Sequence, residues 1–403
     1  MIAVQRNLFF FLSGGIFALA VAMGIGRFAY TPLLPHMQND LSFTNAVAGY
    51  LATSNYAGYF AGALFLSFFS PRNHRTILLR SSLIVSILTT LWMGLTHSLV
   101  LMMAVRFFSG VSSAFIFILA SSIVLDKLAF LKKTSFSGLF YSGVGFGIFL
   151  TGCIIPGLIE AFHWEGAWIG LALASGVFTV FIWIFLIDTP HTATKTEQKK
   201  KEANILPPKW LPWLIAAYGL EGFGYIITGT FIVAMAAQDL NAINEPTTVW
   251  SIVGLAAIPS CLFWSLIAKK IGYVRSLMCT MICQAAGIIL PAIWTTYAGL
   301  MISAILFGAT FMGISTLSTT LAKLIQPQNS SQIIGVLTAI YATGQMIGPI
   351  IAGILATYTN RFHGSLIVAA SAVMLGGLLL ISGLRLERPA STIQKSEGDK
   401  CHT

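Results

Sequence analysis

The sequence predicts an all-α polytopic membrane protein, with twelve transmembrane helices in two six-helix, pseudo-symmetric halves. Of its 403 residues 56% are hydrophobic and only 9% are charged, and so few charges are not found in a soluble globular chain of this length. Twelve apolar runs follow one another, and the basic residues between them fall on one side of the predicted membrane. The two halves also repeat the same spacing of glycines.

Each apolar run is long enough, as a helix, to cross a hydrocarbon core of about 30 Å. Loops of polar, glycine and proline residues separate the runs. The predicted spans lie near 8–35, 45–69, 77–96, 98–126, 134–160, 164–187, 211–237, 247–268, 276–296, 299–325, 331–358 and 362–384.

The basic residues predict the orientation of these spans. All of the 23 Lys and Arg residues except Arg27, Arg106 and Arg361 lie in or at the borders of the N-terminal segment, the even-numbered loops or the C-terminal tail. Because Lys and Arg are enriched on the cytoplasmic side, both termini are expected to be cytoplasmic. The net charge of +10 then indicates anionic lipid headgroups as the partner and excludes nucleic acid.

A polar segment divides the chain after the sixth span. Residues 188–210 contain the run KTEQKKKE, which predicts a solvated cytoplasmic linker, with a basic binding patch as the alternative. The predicted domains are therefore a six-helix half over 1–187 and a second over 211–384. Residues 385–403 are polar and are expected to form a disordered tail.

The glycines of span five recur in span eleven, because Gly143 and Gly147 have counterparts 201 residues later. Glycines are common in membrane helices, so chance is the alternative explanation. The repeat is nevertheless typical of parallel halves that enclose a central pathway, and small residues let helices pack closely. The predicted packing and gating residues are Gly24, Gly26, Gly110, Gly143, Gly147, Gly222, Gly224, Gly344, Gly348 and Pro349.

Three charged residues lie deep within the predicted spans: Arg27, Arg106 and Glu221. A charge at the bilayer centre costs about 2.5 kcal/mol or more, so each needs a partner, a wet cavity or a route to the interface. For Arg27, in the stretch GIGRFAYTPLLPHM, the preceding glycines favour a cavity over snorkelling. Pro32 and Pro35 predict a helix break just beyond it.

Glu221 lies about 15 Å into its span, near the membrane centre. Its carboxyl group either stays protonated or pairs with Arg27 or Arg106, and a group that changes between these states could carry a coupling proton. A fixed Arg–Glu clamp between helices and a contact with substrate alone are the alternatives.

Polar and aromatic residues at helical spacing accompany these charges, as Thr31 does Arg27 and as Tyr218 does Glu221. Such mixed faces are typical of a small-molecule pocket, although helix–helix hydrogen bonding is the alternative for each residue. Two arginines against one glutamate predict a small organic anion as the cargo. The candidate substrate and coupling residues are Arg27, Arg106, Glu221, Asn55, Tyr59, Tyr141, Tyr225, Tyr341 and Gln345.

Twelve spans, a basic central loop and repeated halves resemble the major facilitator superfamily. Within it, GIGRFAYTPLLPHM and the span-seven stretch YGLEGFGYIITGTF resemble the bacterial YbfB/YjiJ-like branch. The resemblance implies a secondary transporter that works by alternating access in the bacterial inner membrane, with spans one, four and seven around one cavity.

Two superfamily motifs can be compared residue by residue. The span-four pattern R-x-x-x-G-x-x-x-A is present as Arg106, Gly110 and Ala114, and in proton-coupled relatives this arginine is implicated in coupling. The loop motif between spans two and three, at 70–75, lacks its usual acid and glycine, and its second-half counterpart keeps only Gly272. These losses put charge locking of the inner gate in doubt.

Several other functions lack their sequence signatures. No GxxxxGK[ST] phosphate loop is present, which argues against a primary pump. No HExxH or GxSxG motif occurs, and the five cysteines show no metal-ligand spacing, so neither an enzyme nor a metal site is expected. We expect a monomer without a cofactor, in which the proton is the coupling ion. Proton-driven efflux of lipophilic cations or drugs and a non-transporting receptor or scaffold remain the alternatives.

Overall fold

The computed structural model describes residues 2–69, 74–187, 206–239, 246–326 and 330–387, with side chains for all of these except 2–7, 239 and 330–331. The loop-motif residues 70–73, the larger part of the predicted linker (188–205) and the tail from 388 lie outside the described residues. Within them the chain is helical throughout, apart from short turns, and contains no strand. This confirms the all-α prediction.

Every predicted span corresponds to a helix. The first span consists of α1, a π-helix and α2, and the last consists of α12 and α13. The bounds are α1 Ile2–Leu19, the π-helix Ala20–Ile25, α2 Tyr30–Leu41, α3 Asn45–Phe68, α4 Arg75–Met93, α5 Leu99–Phe130, α6 Ser137–Phe185, α7 Leu211–Asp239, α8 Thr248–Ile271, α9 Tyr273–Ile293, α10 Tyr297–Ile325, α11 Ser330–Thr359, α12 His363–Leu379 and α13 Ile381–Leu386.

Length and composition support twelve membrane crossings. Ten segments of the described chain are long and apolar enough to span a membrane. One of them, Thr134–Phe185, contains both span five and span six. The two spans are separated by a kink at His163 inside α6, where the φ and ψ angles of 57° and −174° are not helical. The more polar α3 is 24 residues long and supplies the remaining crossing. The protein is therefore a multi-pass membrane protein.

The first span changes its hydrogen-bond pattern around Arg27. Gly26 N donates to Val21 O and Phe28 N to Met23 O, which is the wider π pattern. Thr31 N then donates to Phe28 O, the carbonyl that would bond to the backbone nitrogen of residue 32 in a regular α-helix. Pro32 has no N–H to give, so the helix tightens there.

The expected break beyond Arg27 is wrong in position. Helix α2 continues through Pro35 to Leu41, and the irregular turn covers Ala20 to Ala29 instead. The physical reason is that proline removes the hydrogen bond to the carbonyl four residues before it. Its effect therefore appears on the N-terminal side, where Arg27 lies.

Three helix pairs form the extensive contacts between the halves in the described chain: α6 with α8, α3 with α11, and α2 with α7. Glycines permit two of these contacts. A Cβ atom on Gly145 would meet the backbone of Ala257 and Ile258, and one on Gly49 would meet the backbone of Pro349.

The hydrogen bonds between the halves lie away from the side on which α1 begins. Thr31 Oγ1 donates to Gly229 O at 2.7 Å, and Thr53 Oγ1 donates to Met346 O at 2.8 Å. Ala46 N, at the start of α3, donates to a side chain near the end of α11 at 2.9 Å. We call these contacts the seal. On the opposite side, Tyr141 and Tyr341 remain half-buried.

Candidate functional site

Arg27 lies beside the seal, in the irregular turn of the first span. Its side chain is only 3% exposed, yet Nε and Nη2 have no hydrogen-bond partner among the described residues. No carboxylate of those residues forms an ion pair with it. A buried charge without a partner is costly, so the guanidinium has unused capacity to bind an anion.

Aromatic rings surround this guanidinium. Its Cζ atom lies 4.6 Å from the ring centre of Tyr59, 4.8 Å from that of Tyr56 and 5.3 Å from that of Phe28, which is within the range of cation–π attraction. The Phe28 ring in turn contacts Trp250 and Phe311 of the second half, with ring centres 6.1 Å and 6.5 Å apart. Rings from both halves therefore meet beside the arginine.

Tyr56 was not among the residues predicted from the sequence. Its hydroxyl lies 3.1 Å from Thr230 Oγ1 of the second half. The tyrosine that packs on Arg27 thus also makes a hydrogen bond between the halves, next to the seal. A signal was available, because Tyr56 and the predicted Tyr59 are three residues apart on one helix and face the same way.

Arg106 supports the turn that carries Arg27. Its Nη1 donates to Gly26 O at 3.4 Å and its Nη2 to Arg27 O at 3.3 Å, while its Cζ lies 4.7 Å from the ring centre of Tyr30. Ser109 Oγ donates to the same Gly26 carbonyl at 2.8 Å. The contacts of Arg106 are thus with the backbone and an aromatic ring.

Asn55 contributes to the same support. Its Nδ2 donates to Arg106 O at 3.0 Å and to Gly26 O at 3.5 Å. Its Oδ1 is buried without a partner. The side chains of spans two and four therefore satisfy the carbonyls that the irregular turn leaves free.

Of the two alternatives for Glu221, the pairing with Arg27 or Arg106 does not form among the described residues. Glu221 is fully buried, and neither carboxylate oxygen accepts a hydrogen bond. The groups beside it are Gln284 of α9 and Tyr341 of α11, although neither reaches hydrogen-bond geometry. The carboxyl group therefore lies inside the second half, away from both arginines.

Gln284 is the residue of this site that sequence reasoning missed. It is fully buried, and both its Nε2 and its Oε1 lack a hydrogen-bond partner. The available signal was an amide side chain in the middle of the apolar ninth span. Glu221 and Gln284 together form a polar pair whose hydrogen-bonding capacity is unused.

A stack of aromatic rings connects this pair to the neighbourhood of Arg27. Tyr341 stacks on Tyr218 with ring centres 4.3 Å apart and on Tyr225 with centres 5.5 Å apart. Tyr225 in turn receives a hydrogen bond from Gln345 Nε2 at its hydroxyl. Tyr341 thus neighbours both the carboxyl group of Glu221 and the ring of Tyr225.

Tyr141 takes a different place from the other predicted tyrosines. Its ring packs against Phe140 and Phe117 of the first half, with centres 4.9 Å and 6.1 Å apart. It is half-buried on the side of the molecule away from the seal.

The predicted packing glycines lie at close helix contacts. A Cβ atom on Gly24 would meet Gly147, and one on Gly143 would meet Ile16. In the second half, Gly222 faces the Tyr341 carbonyl. The remaining glycines face the following groups: Gly26 the Ser113 hydroxyl, Gly110 the Asn55 carbonyl, Gly224 the Ala369 carbonyl, Gly344 the Gly219 carbonyl and Gly348 the Phe223 carbonyl.

Solved structures share this fold. The nucleoside transporter NupG superposes with a TM-score of 0.72 at 14% sequence identity, covering 92% of this chain and 98% of that one. A bacterial homologue of the human lysosomal transporter Spinster, in an inward-facing and occupied conformation, gives a TM-score of 0.71 at 13% identity, over 94% and 97% of the two chains. At these identities the superpositions show that the chain shares the fold of both structures.

The chain belongs to the family described as uncharacterised MFS-type transporter YbfB, which matches residues 19–381. Its relatives in Bacillus subtilis (strain 168) have diverse names. The multidrug efflux protein YfmO is 23% identical over 90% of this chain and 88% of its own length. A hexuronate transporter is 19% identical over 96% of each. The fold and family are those of transporters that bind small molecules within a membrane, not those of enzymes.

Proposed function

We propose that this protein is a proton-coupled secondary transporter for a small organic anion, and that Arg27 binds the anion. The observation that carries the proposal is a buried guanidinium in which two nitrogen atoms, Nε and Nη2, lack a hydrogen-bond partner and which has no carboxylate partner among the described residues. An anionic cargo would supply the missing charge through a charge-assisted hydrogen bond.

The geometry supports alternating access. The seal joins the halves just beyond Arg27, and partly exposed tyrosines lie on the other side. With both termini on the cytoplasmic side of the bacterial inner membrane, as the positive residues indicate, this is an inward-facing arrangement. The two halves, 1–187 and 211–384, would then move relative to each other about the Arg27 site. A single chain, as a monomer, is sufficient for this motion.

Thermal unfolding of the purified protein tests the cargo class. The probes are glucuronate, benzoate, uridine and tetraphenylphosphonium, and a ligand at about 100 times its dissociation constant should add roughly 2.7 kcal/mol of stability. We expect stabilisation by a carboxylate, lost in Arg27→Gln and kept in the matched control Arg361→Gln, whose arginine is exposed. Stabilisation by tetraphenylphosphonium alone would favour efflux of lipophilic cations and overturn the proposal.

Glu221 is the proposed carrier of the coupling proton. Its carboxyl group is buried, unpaired by any arginine and near Gln284 and Tyr341, so its charge state can respond to changes in this environment. In proteoliposomes, Glu221→Gln should abolish accumulation driven by a pH gradient while exchange without a gradient continues. Glu160→Gln, at an exposed position, is the control. If Glu221→Gln accumulates the anion as well as the wild type does, Glu221 does not carry the coupling proton and has only a structural role.

A further inference from the structure

Four aromatic rings of the second half share one orientation. The ring planes of Tyr341 and Tyr218 differ by 13°, with ring centres 4.3 Å apart. Those of Tyr341 and Tyr225 differ by 14° at 5.5 Å, and those of Tyr225 and Phe311 differ by 5° at 6.0 Å. Helices α7, α10 and α11 each contribute to this aromatic stack.

The aromatic stack reaches the anion site. The ring centre of Phe311 lies 6.5 Å from that of Phe28, the neighbour of Arg27, and Phe311 in turn stacks on Tyr225 with ring centres 6.0 Å apart. Tyr341 remains half-buried, so the protein does not fully enclose this member of the stack. An anion bound to Nε and Nη2 of Arg27 would therefore have ring surfaces beside it.

Two amide donors nearby are already used by the protein. Gln345 Nε2 donates to the Tyr225 hydroxyl, and Asn55 Nδ2 donates to two carbonyls of the first half. The unpartnered atoms closest to the turn of Arg27 are few: Asn55 Oδ1, Arg106 Nε and Ser113 Oγ. A sugar acid with several hydroxyl groups needs many donors and acceptors to replace water. A flat apolar body needs none and gains stacking energy.

We propose that the cargo is a flat aromatic carboxylate, whose carboxylate binds Arg27 and whose ring lies against the aromatic stack at Tyr341. The inference rests on the proposed anion site at Arg27 and adds the shape of the ligand to it.

Binding of benzoate and cyclohexanecarboxylate to the full-length protein tests this inference by isothermal titration calorimetry. The two acids have the same charge and carbon number, and only benzoate is flat and aromatic. We expect benzoate to bind about fivefold more tightly, as one good ring contact provides, and glucuronate to bind more weakly than either. Tyr341→Leu should bring the ratio of the first two affinities close to one, whereas Tyr341→Phe should keep it.

The control is Tyr358→Leu, because Tyr358 lies in the same helix but is 84% exposed. If Tyr341→Leu does not fold, Phe311→Leu tests the same stack. Equal affinities for benzoate and cyclohexanecarboxylate, both lost in Arg27→Gln, would overturn the aromatic inference and leave the anion site standing. Binding of both acids that survives in Arg27→Gln, or no binding to the wild type, would remove the proposed site itself.

Discussion

At the scale of single residues, the two deep arginines have different surroundings although both are buried. Both Nη1 and Nη2 of Arg106 donate to backbone carbonyls and its Nε alone lacks a partner, whereas Nε and Nη2 of Arg27 both lack one. We therefore assign the two arginines different roles: Arg106 positions the turn, and Arg27 binds the ligand.

Replacing Arg106 by Gln should therefore lower stability as well as binding. Loss of the two charge-assisted hydrogen bonds should reduce the free energy of unfolding by about 2 kcal/mol, whereas Arg27→Gln should leave the unliganded protein as stable as the wild type or more so. Thermal unfolding without ligand measures both. An Arg106→Gln protein that unfolds like the wild type but no longer binds anions would show that Arg106 contacts the cargo directly.

Gln284 allows a second comparison at this scale. Gln284→Leu removes the amide beside Glu221 while it keeps the approximate side-chain volume, so coupling should change but anion binding should not. The measurement is the dependence of transport on external pH, with equilibrium binding in parallel. A profile that matches the wild type would show that the amide has no part in the proton site.

At the scale of elements, close contact between spans one and five depends on the absence of side chains. A Cβ atom on Gly24 would meet backbone atoms of Gly147, which cannot move aside as a flexible side chain can. Gly24→Ala should cost about 1–3 kcal/mol of stability through overpacking and should shift the turn that carries Arg27. Gly157→Ala is the matched control, since a Cβ atom on Gly157 would have no neighbour within 4 Å. Equal melting temperatures would contradict the contact.

The elements were the part of the structure that the sequence predicted well. Apolar length alone locates a membrane helix, and even the boundary between spans five and six was found at the polar residues around His163. The irregular turn was misplaced because a proline acts on the carbonyl four residues earlier, as Thr31 and Phe28 show. The partner of Glu221 could not be predicted, since hydropathy gives the depth of a side chain but not the neighbouring helix that it faces.

At the scale of the whole molecule, the seal predicts how the halves must move. Ala46 and Thr357 lie together across it, so cysteines at both positions, in a background without the five native cysteines, should form a disulfide that holds the seal closed. We expect uptake of the anion selected by thermal screening to stop on oxidation and to return on reduction. The control pair is Ala352→Cys with Ser365→Cys, which are in contact within one half. Continued uptake with the first pair cross-linked would contradict opening at the seal.

The position of Trp250 has a spectroscopic consequence. This indole is 1% exposed, its Nε1 has no hydrogen-bond partner among the described residues, and its ring centre lies 6.1 Å from that of Phe28 beside Arg27. Its emission should therefore be that of a dry indole and should respond to a charge that arrives at, or leaves, the arginine. Subtracting the spectrum of Trp250→Phe from that of the wild type would isolate this one emitter from the other tryptophans. The molecule thus contains its own optical reporter of occupancy, placed where the two halves meet and requiring no attached dye.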